Sequence, residues 1–368
     1  VHRAGGQAHL VTGATGLIGA AVVLQLLTDT DSDIWCLTRP RGARAARQRL
    51  HQELTRAARL YGMADTADAI ARRCHALTGN LDRPLDPGTL TALPEISHIW
   101  HSGASLRAEE LFADQVREVN VEGTRRLLDL CRGLGAHFNY VSTASVAPRR
   151  EGLQHEAPPD ATSVLHNVYE RSKREAELLV MNSPTPWRIL RPVMVVGHSH
   201  TYAATTFSGL YAFARRLHRF RRAYGAALED RRPALVGAAT AEVHFAPVDQ
   251  VARNAVHVGL HGATGYFYHL ANSRTLNVAD LYTTVFRWSG LLPPHCVPAG
   301  TPLAGPDREL NRHMAGFTDY FSRRERFDCT RTQAVVGPQA MSMPMDTTTL
   351  TALLDWYGQQ VSRSRSPA

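Results

Sequence analysis

The segment His9–Leu27 constrains this chain most. The apolar run His9–Thr12 leads straight into Thr12-Gly13-Ala14-Thr15-Gly16-Leu17-Ile18-Gly19, and an apolar helical pattern over Leu17–Leu27 leads straight out. Glycines at this spacing between a strand and a helix let the backbone turn tightly and approach a pyrophosphate, while the helix N-terminus offers free amides to it. A bare strand-to-helix turn is the simpler use of such a segment, but the flanking strand and helix favour dinucleotide binding. The next apolar run, Ile34–Thr38, ends at Arg39 with Arg41 close behind, and no acid lies between Ile34 and Arg41. An acid at this point holds the ribose 2′-hydroxyl of NAD, whereas a base meets the 2′-phosphate of NADP, so NADPH is expected, with Arg39 as its contact.

Further apolar runs at His75–Thr78, His98–His101, Phe138–Ser142 and Trp187–Leu190 alternate with helical periodicity at Ala43–Tyr61, Val121–Cys131 and Tyr169–Val180. Such alternation predicts an α/β fold: a doubly wound parallel Rossmann-type sheet, with a smaller, mostly helical C-terminal lobe for substrate. Residues 1–191 are assigned to the nucleotide-binding domain and 192–368 mainly to the substrate lobe. Segments near 243–271 return to the main sheet, with Phe245–Val251 and Tyr266–Ala271 read as strands. A last helix is expected at Thr347–Gln359, followed by a disordered Ser-Arg-Ser-Arg-Ser tail.

Hydrophobic content of 44% and charged content of 20% describe a soluble globular chain. No apolar run approaches the roughly 20 residues that span a bilayer, and the N-terminus lacks the apolar core of a signal peptide, so a cytoplasmic location is expected by default. The first residue is Val1 rather than methionine, which leaves open a piece excised from a longer protein. Five scattered cysteines, never in a CxxC pair, argue against a disulfide framework or zinc site. His98, His101 and His269 match no ligand spacing, and no metal is expected. The net charge of +8 comes without aromatics interleaved for nucleic acid, and therefore points to anionic ligands. The run Arg215–Arg222 could serve them or could be a solvated helix face.

Of the 41 basic residues only Lys173 is a lysine. Arginine serves wherever a generic positive charge suffices, so the exception marks a place that requires a compact ammonium. Tyr169 lies four residues earlier, on the same helix face. A phenol with a reference pKa near 10 needs a nearby cation to work as an acid at neutral pH. Upstream, Tyr140-Val-Ser-Thr-Ala-Ser-Val146 ends a strand with hydroxyls at the sheet edge where open α/β sheets bind ligands, and a hydroxyl there can donate to a carbonyl oxygen as charge builds on it.

These blocks, with Trp100–Ser105, Asn120–Thr124, Leu190–Gly197 and Ala246–Val251, resemble the extended short-chain dehydrogenase/reductase superfamily. Within it the chain is similar to the thioester reductases at the ends of nonribosomal peptide synthetases and carboxylic acid reductases. The resemblance runs from Val11 to about Ala271. It implies a catalytic triad of Thr143, Tyr169 and Lys173. It implies cofactor contacts from Thr12, Gly13, Thr15, Gly16, Leu17, Ile18 and Gly19 in the turn, from Arg39, from Asn80 and Leu81, from Gly103, Ala104 and Asn120, from Tyr169 and Lys173, and from Pro192 and Val193. The implied reaction is NADPH-dependent reduction of an acyl thioester to an aldehyde, with a second reduction to the alcohol left open. The acyl group would be carried on the phosphopantetheine of an acyl or peptidyl carrier protein, or on coenzyme A. Asn80 stands where the family usually has aspartate, and His198 where an acid is usual. The same triad serves reductases and epimerases of free ketones or nucleotide sugars, and a non-catalytic nucleotide-binding scaffold is the remaining alternative.

Overall fold

The computed structural model describes residues 7–39, 43–91, 93–146, 151–160, 165 and 167–363. Arg41 and the end of the chain from Ser364 lie outside them. Seven strands form the central sheet: β1 (Ala8–Thr12), β2 (Ile34–Thr38), β3 (Cys74–Thr78), β4 (Ile96–His101), β5 (His137–Val141), β6 (Trp187–Pro192) and β7 (Tyr266–Leu270). They are parallel throughout, in the order β7-β6-β5-β4-β1-β2-β3. β1 is buried along its whole length because helices cover both sheet faces, which is why it reads as a continuous apolar run.

The helices that matter here are α1 (Leu17–Asp29), α2 (Ala43–Leu60), α3 (Gly123–Leu134), α4 (Val168–Met181), α5 (Leu210–Tyr224), α6 (Val248–His261), α7 (Val278–Trp288), α8 (Gly305–Phe321) and α9 (Thr347–Arg363). One face of the sheet packs with α1, α2 and α6 through Val23, Leu26, Leu50, Leu54, Val251 and Val258. The other packs with α3 and α4 through Leu10, Ile99, Leu127, Phe138, Ala176 and Val180. A separate apolar cluster joins α5, α7, α8 and α9 through Phe213, Leu217, Phe286, Leu310, Phe321, Leu350 and Leu354.

The order in which strands are added reverses between β1 and β4. β2 and β3 extend to one side, β4 to β7 to the other, and a crevice opens beyond the carboxyl ends of the two central strands, where such sheets take their ligands. Thr12 and His101 end these strands side by side.

One expectation is corrected. Phe245–Val251 is not one strand of the main sheet. Phe245–Pro247 pairs with Met194–Val196 in a small sheet of its own, and Pro247 caps α6, which claims Val248 onward. Proline fixes φ and carries no N–H, so it ends a ladder and suits the residue before a helix. Tyr266–Leu270 does return to the main sheet, beside β6. The final helix is also longer than expected and takes Ser362 and Arg363 from the tail.

The C-terminal part is stitched to the sheet by buried polar contacts. Glu325–Phe327 pairs with Gly152–Gln154. The Glu156 carboxylate accepts from the backbone N–H of His269 at 2.9 Å and of Arg331 at 2.6 Å, and from the Thr332 hydroxyl at 2.5 Å. These ties hold the end of α8 against the sheet edge that carries the candidate site.

Candidate active site

The turn between β1 and α1 is built for a close-approaching ligand. Gly13 has φ +72°, and a Cβ at Gly19 would lie 2.1 Å from the Gly13 carbonyl oxygen, so the helix start sits directly on the turn. Gly16 caps α1 without a side-chain bond, and the first turn holds no acid. The amides at this helix end are therefore left without a side-chain partner, which suits a phosphate. Thr15, Leu17 and Ile18 are half-buried around the turn.

A chain of hydrogen bonds sets the turn against β4. The Thr124 hydroxyl donates to the Asn120 carbonyl at 2.6 Å, so it accepts from Nε2 of His101 at 3.0 Å. Nδ1 of His101 then accepts from the Thr12 hydroxyl at 2.7 Å, and Thr12 accepts from the Gly103 N–H at 3.1 Å. Burial pushes the His101 pKa down to about 3, in keeping with this neutral tautomer. His101 thus positions the nucleotide turn rather than a metal. His98 stacks with His137 at the opposite end of the sheet, and His269 bonds the Asp328 carbonyl. Among the described residues no group of His, Cys, Asp and Glu side chains is arranged to hold a metal ion.

Asn120 lies in a π-helical turn, Glu118–Glu122. Its side chain accepts from the Ser105 N–H at 2.7 Å and donates to the Ser105 carbonyl and the Ser172 hydroxyl. It therefore ties the loop of Gly103 and Ala104 to α4, one residue from Lys173. Asn80 accepts from the Leu81 N–H, and Arg126 holds the Leu81 carbonyl at 2.7 Å. Beside them a cavity of about 450 Å³ is lined by Leu37, Asn80, Leu81, Leu85, Gly123 and Leu127. Arg39 follows β2 directly and is exposed. Pro192 and Val193 are buried at the end of β6, where the Val193 N–H meets the Leu270 carbonyl.

The structure brings Thr143, Tyr169 and Lys173 together. Thr143 follows β5, and the Ser145 N–H donates to its hydroxyl at 3.2 Å. Asn167 caps α4 through the Glu170 N–H at 2.8 Å, which places Tyr169 in the first helical turn, beside Thr143. Lys173 is 3% exposed, donates to the Val141 carbonyl at 2.7 Å, and lies 4.1 Å from the centroid of the Tyr140 ring. Burial drives the Tyr169 phenol upward, helped by the charges of Glu170 and Tyr320 and opposed by Thr143. Burial drives Lys173 down to about 7, opposed by Glu177, whose carboxylate Arg191 grips at 2.9 and 2.7 Å. Each group is pushed toward its neutral form, which a bound anionic ligand would reverse for the lysine.

Two neighbours carry no signal in the sequence. Tyr320, at the end of α8, lies 5.0 Å by its ring centroid from Arg323, and Arg323 pairs with Glu170 at 3.1 Å. They lie about 150 residues from Tyr169, in no motif, and only the stitching of the C-terminal part brings them in.

The family described as male sterility protein, an NAD-binding family, matches residues 11–255. The chain belongs to this family. It is a nicotinamide-dinucleotide-binding fold whose matched span holds the turn and Thr143, Tyr169 and Lys173. One of the subunits of linear gramicidin synthase from Brevibacillus parabrevis is 28% identical over 76% of the chain, and isonitrile lipopeptide synthase of Streptomyces coeruleorubidus 34% over 46%. The chain spans only 5% and 12% of those two proteins' lengths. The terminal R domain from the myxalamid PKS-NRPS biosynthetic pathway superposes with a TM-score of 0.77 at 25% identity, covering 98% of this chain and 92% of that one.

Proposed function

We propose that this chain is a reductase that converts an acyl thioester to an aldehyde with NADPH, through Thr143, Tyr169 and Lys173. The observation that carries the reading is the placing of Thr143 beside Tyr169 with a buried lysine one helical turn away, at the sheet edge beside a glycine turn that fits a pyrophosphate. Similarity to a terminal R domain over nearly the whole chain supports it. The division into a nucleotide-binding domain, residues 1–191, and a substrate lobe belongs to the same reading.

Thr12 to Gly19, Lys173 and Arg39 would hold the dinucleotide, which when bound supplies hydride to the carbonyl carbon. Thr143 and Tyr169 donate hydrogen bonds to the carbonyl oxygen as negative charge builds on it. Tyr169 passes its phenolic proton to that oxygen, and protonated Lys173 stabilises the phenolate left behind. The hemithioacetal then collapses: the C–S bond breaks, the thiol leaves with a proton, and the aldehyde remains. A further hydride would give the alcohol.

The substrate would arrive on a carrier-protein phosphopantetheine or on coenzyme A. A basic groove of about 380 Å³ between α5 and α8, lined by Arg216, Arg219, Phe220, Tyr224, Arg312 and His313, supports an anionic partner. NADPH oxidation measured with an acyl-coenzyme A, a carrier-bound acyl group and a simple ketone tests the reading. Turnover of the two thioesters is expected, and turnover of the ketone alone would overturn it.

A further inference from the structure

The helix that carries Tyr169 and Lys173 is fixed to the sheet at two buried points. Lys173 donates to the Val141 carbonyl at 2.7 Å, where β5 ends. One turn further along α4, the Glu177 carboxylate accepts from Nε of Arg191 at 2.9 Å and from Nη2 at 2.7 Å, near the end of β6. Val141 pairs with Leu190, the residue before Arg191, so the two attachments sit side by side on neighbouring strands. Tyr169, Lys173 and Glu177 follow one another at four-residue steps and share one face of α4. Glu177 and Arg191 are both fully buried. The guanidinium is held elsewhere too: Nη1 donates to the Ala157 carbonyl at 2.8 Å, and the Phe267 ring lies 4.3 Å from Cζ.

A buried ion pair is a poor way merely to attach a helix. Apolar side chains of similar volume would pack there as well or better, because desolvating both charges offsets most of their attraction. What the two-pronged contact adds is direction, since a planar fork gripping both carboxylate oxygens fixes the rotation of α4 and its height along β6. It also sets a carboxylate one turn from a buried ammonium. Lys173 faces Tyr169 and Glu177 on its own helix, the Tyr140 ring of β5 at 4.1 Å, and the neutral His101 of β4, while Arg191 of β6 reaches it only through Glu177. Of these groups only Glu177 is a carboxylate, and it opposes the effect of burial on the lysine.

We propose that Glu177, locked in place by Arg191, is a positioning residue that fixes the Lys173 ammonium beneath Tyr169. This rests on the reading of Thr143, Tyr169 and Lys173 as the catalytic set. Glu177 acts through Lys173 alone: its charge favours the ammonium over the neutral amine, and the fork sets the turn of helix from which the lysine reaches β5.

Lys173 is the only lysine of the chain, so protein isotope-labelled at the lysine side chain gives a single lysine NMR resonance whose titration is followed without turnover. In Glu177→Gln, which keeps the shape and removes the charge, the midpoint is expected to fall by about one pH unit, a ten-fold loss of proton affinity. At neutral pH kcat for an acyl coenzyme A should fall about ten-fold with it, while KM for the thioester changes little. The double variant Glu177→Met, Arg191→Met removes both charges and should melt no lower than the unmodified protein, yet keep the lowered midpoint and the lowered kcat. It reads the same resonance if Glu177→Gln does not fold. A midpoint that stays in place in these variants, or a double variant with the kcat of the unmodified enzyme, would overturn the proposal and leave the pair a structural tie. Should the unmodified enzyme reduce no thioester while the midpoint moves as expected, the reaction reading fails and the hold of Glu177 on Lys173 stands.

Discussion

Lys173 is an ammonium buried where water would otherwise solvate it, and its pKa is held near 7 rather than above 10. A guanidinium in its place is bulkier and fixes its donors in a plane, so it cannot reach the Val141 carbonyl and support Tyr169 in the same way. Lys173→Arg is therefore expected to lose most turnover, and full activity would contradict the assignment. Tyr169→Phe should remove nearly all turnover while NADPH binding, followed by fluorescence titration, stays largely intact, because only the proton and one oxyanion donor are lost. Arg39 belongs to a different contact. If it meets the 2′-phosphate, the charge-assisted bonds contribute roughly 1.5–3 kcal/mol, and Arg39→Ala should reduce the preference for NADPH over NADH at least several-fold. Equal affinity for both cofactors in the unmodified protein would rule this out.

At the scale of elements, the first β-α unit is a single device. Thr12 and His101 link the ends of β1 and β4, Thr124 extends the link to α3, and Asn120 continues it to α4. A shift of the turn is therefore passed on to α4. Gly19→Ala would push a methyl group to within 2.1 Å of the Gly13 carbonyl oxygen, which only a shift of the turn or the start of α1 could relieve. Dinucleotide binding is expected to be lost and the melting temperature lowered, as calorimetry with and without NADPH would register. Retained binding would show that the turn tolerates what its packing forbids.

For the whole molecule, four buried or half-buried histidines set the response to acid. Burial lowers His9 to about 4 and His98, His101 and His269 to about 3. Since each takes a proton more readily in the unfolded chain, stability falls as the pH drops below about 6.5 and goes on falling toward the folded values. The slope is about 1.4 kcal/mol per pH unit for each fully coupled group. Urea unfolding should show a loss of several kcal/mol between pH 7 and pH 5, and a flat profile would mean that these sites protonate without unfolding. The basic groove acts at the same scale, through long-range charge. Reversing Arg216 and Arg219 to glutamate should raise KM for carrier-bound and coenzyme A substrates, while a small uncharged thioester is reduced as before. Added salt should mimic the change, because exposed charges are screened beyond about 8 Å at physiological ionic strength. Unchanged KM values would return the groove to an ordinary solvated surface.

The sequence by itself determined the sheet, because strands buried on both faces and helices with one apolar stripe leave strong local periodicities. It also determined the glycine turn and the Tyr169–Lys173 pair, whose spacings are set within one turn or one helix. Only the tertiary structure decided how Phe245–Val251 divides, since Pro247 ends one element and begins the next within an unbroken apolar run. It alone gave His101 its place between Thr12 and Thr124, which are separated from it by 89 and 23 residues. It alone brought Tyr320 and Arg323 to the site, because long-range strand pairing and the Glu156 contacts bring them there, and neither leaves a period or a motif in the chain.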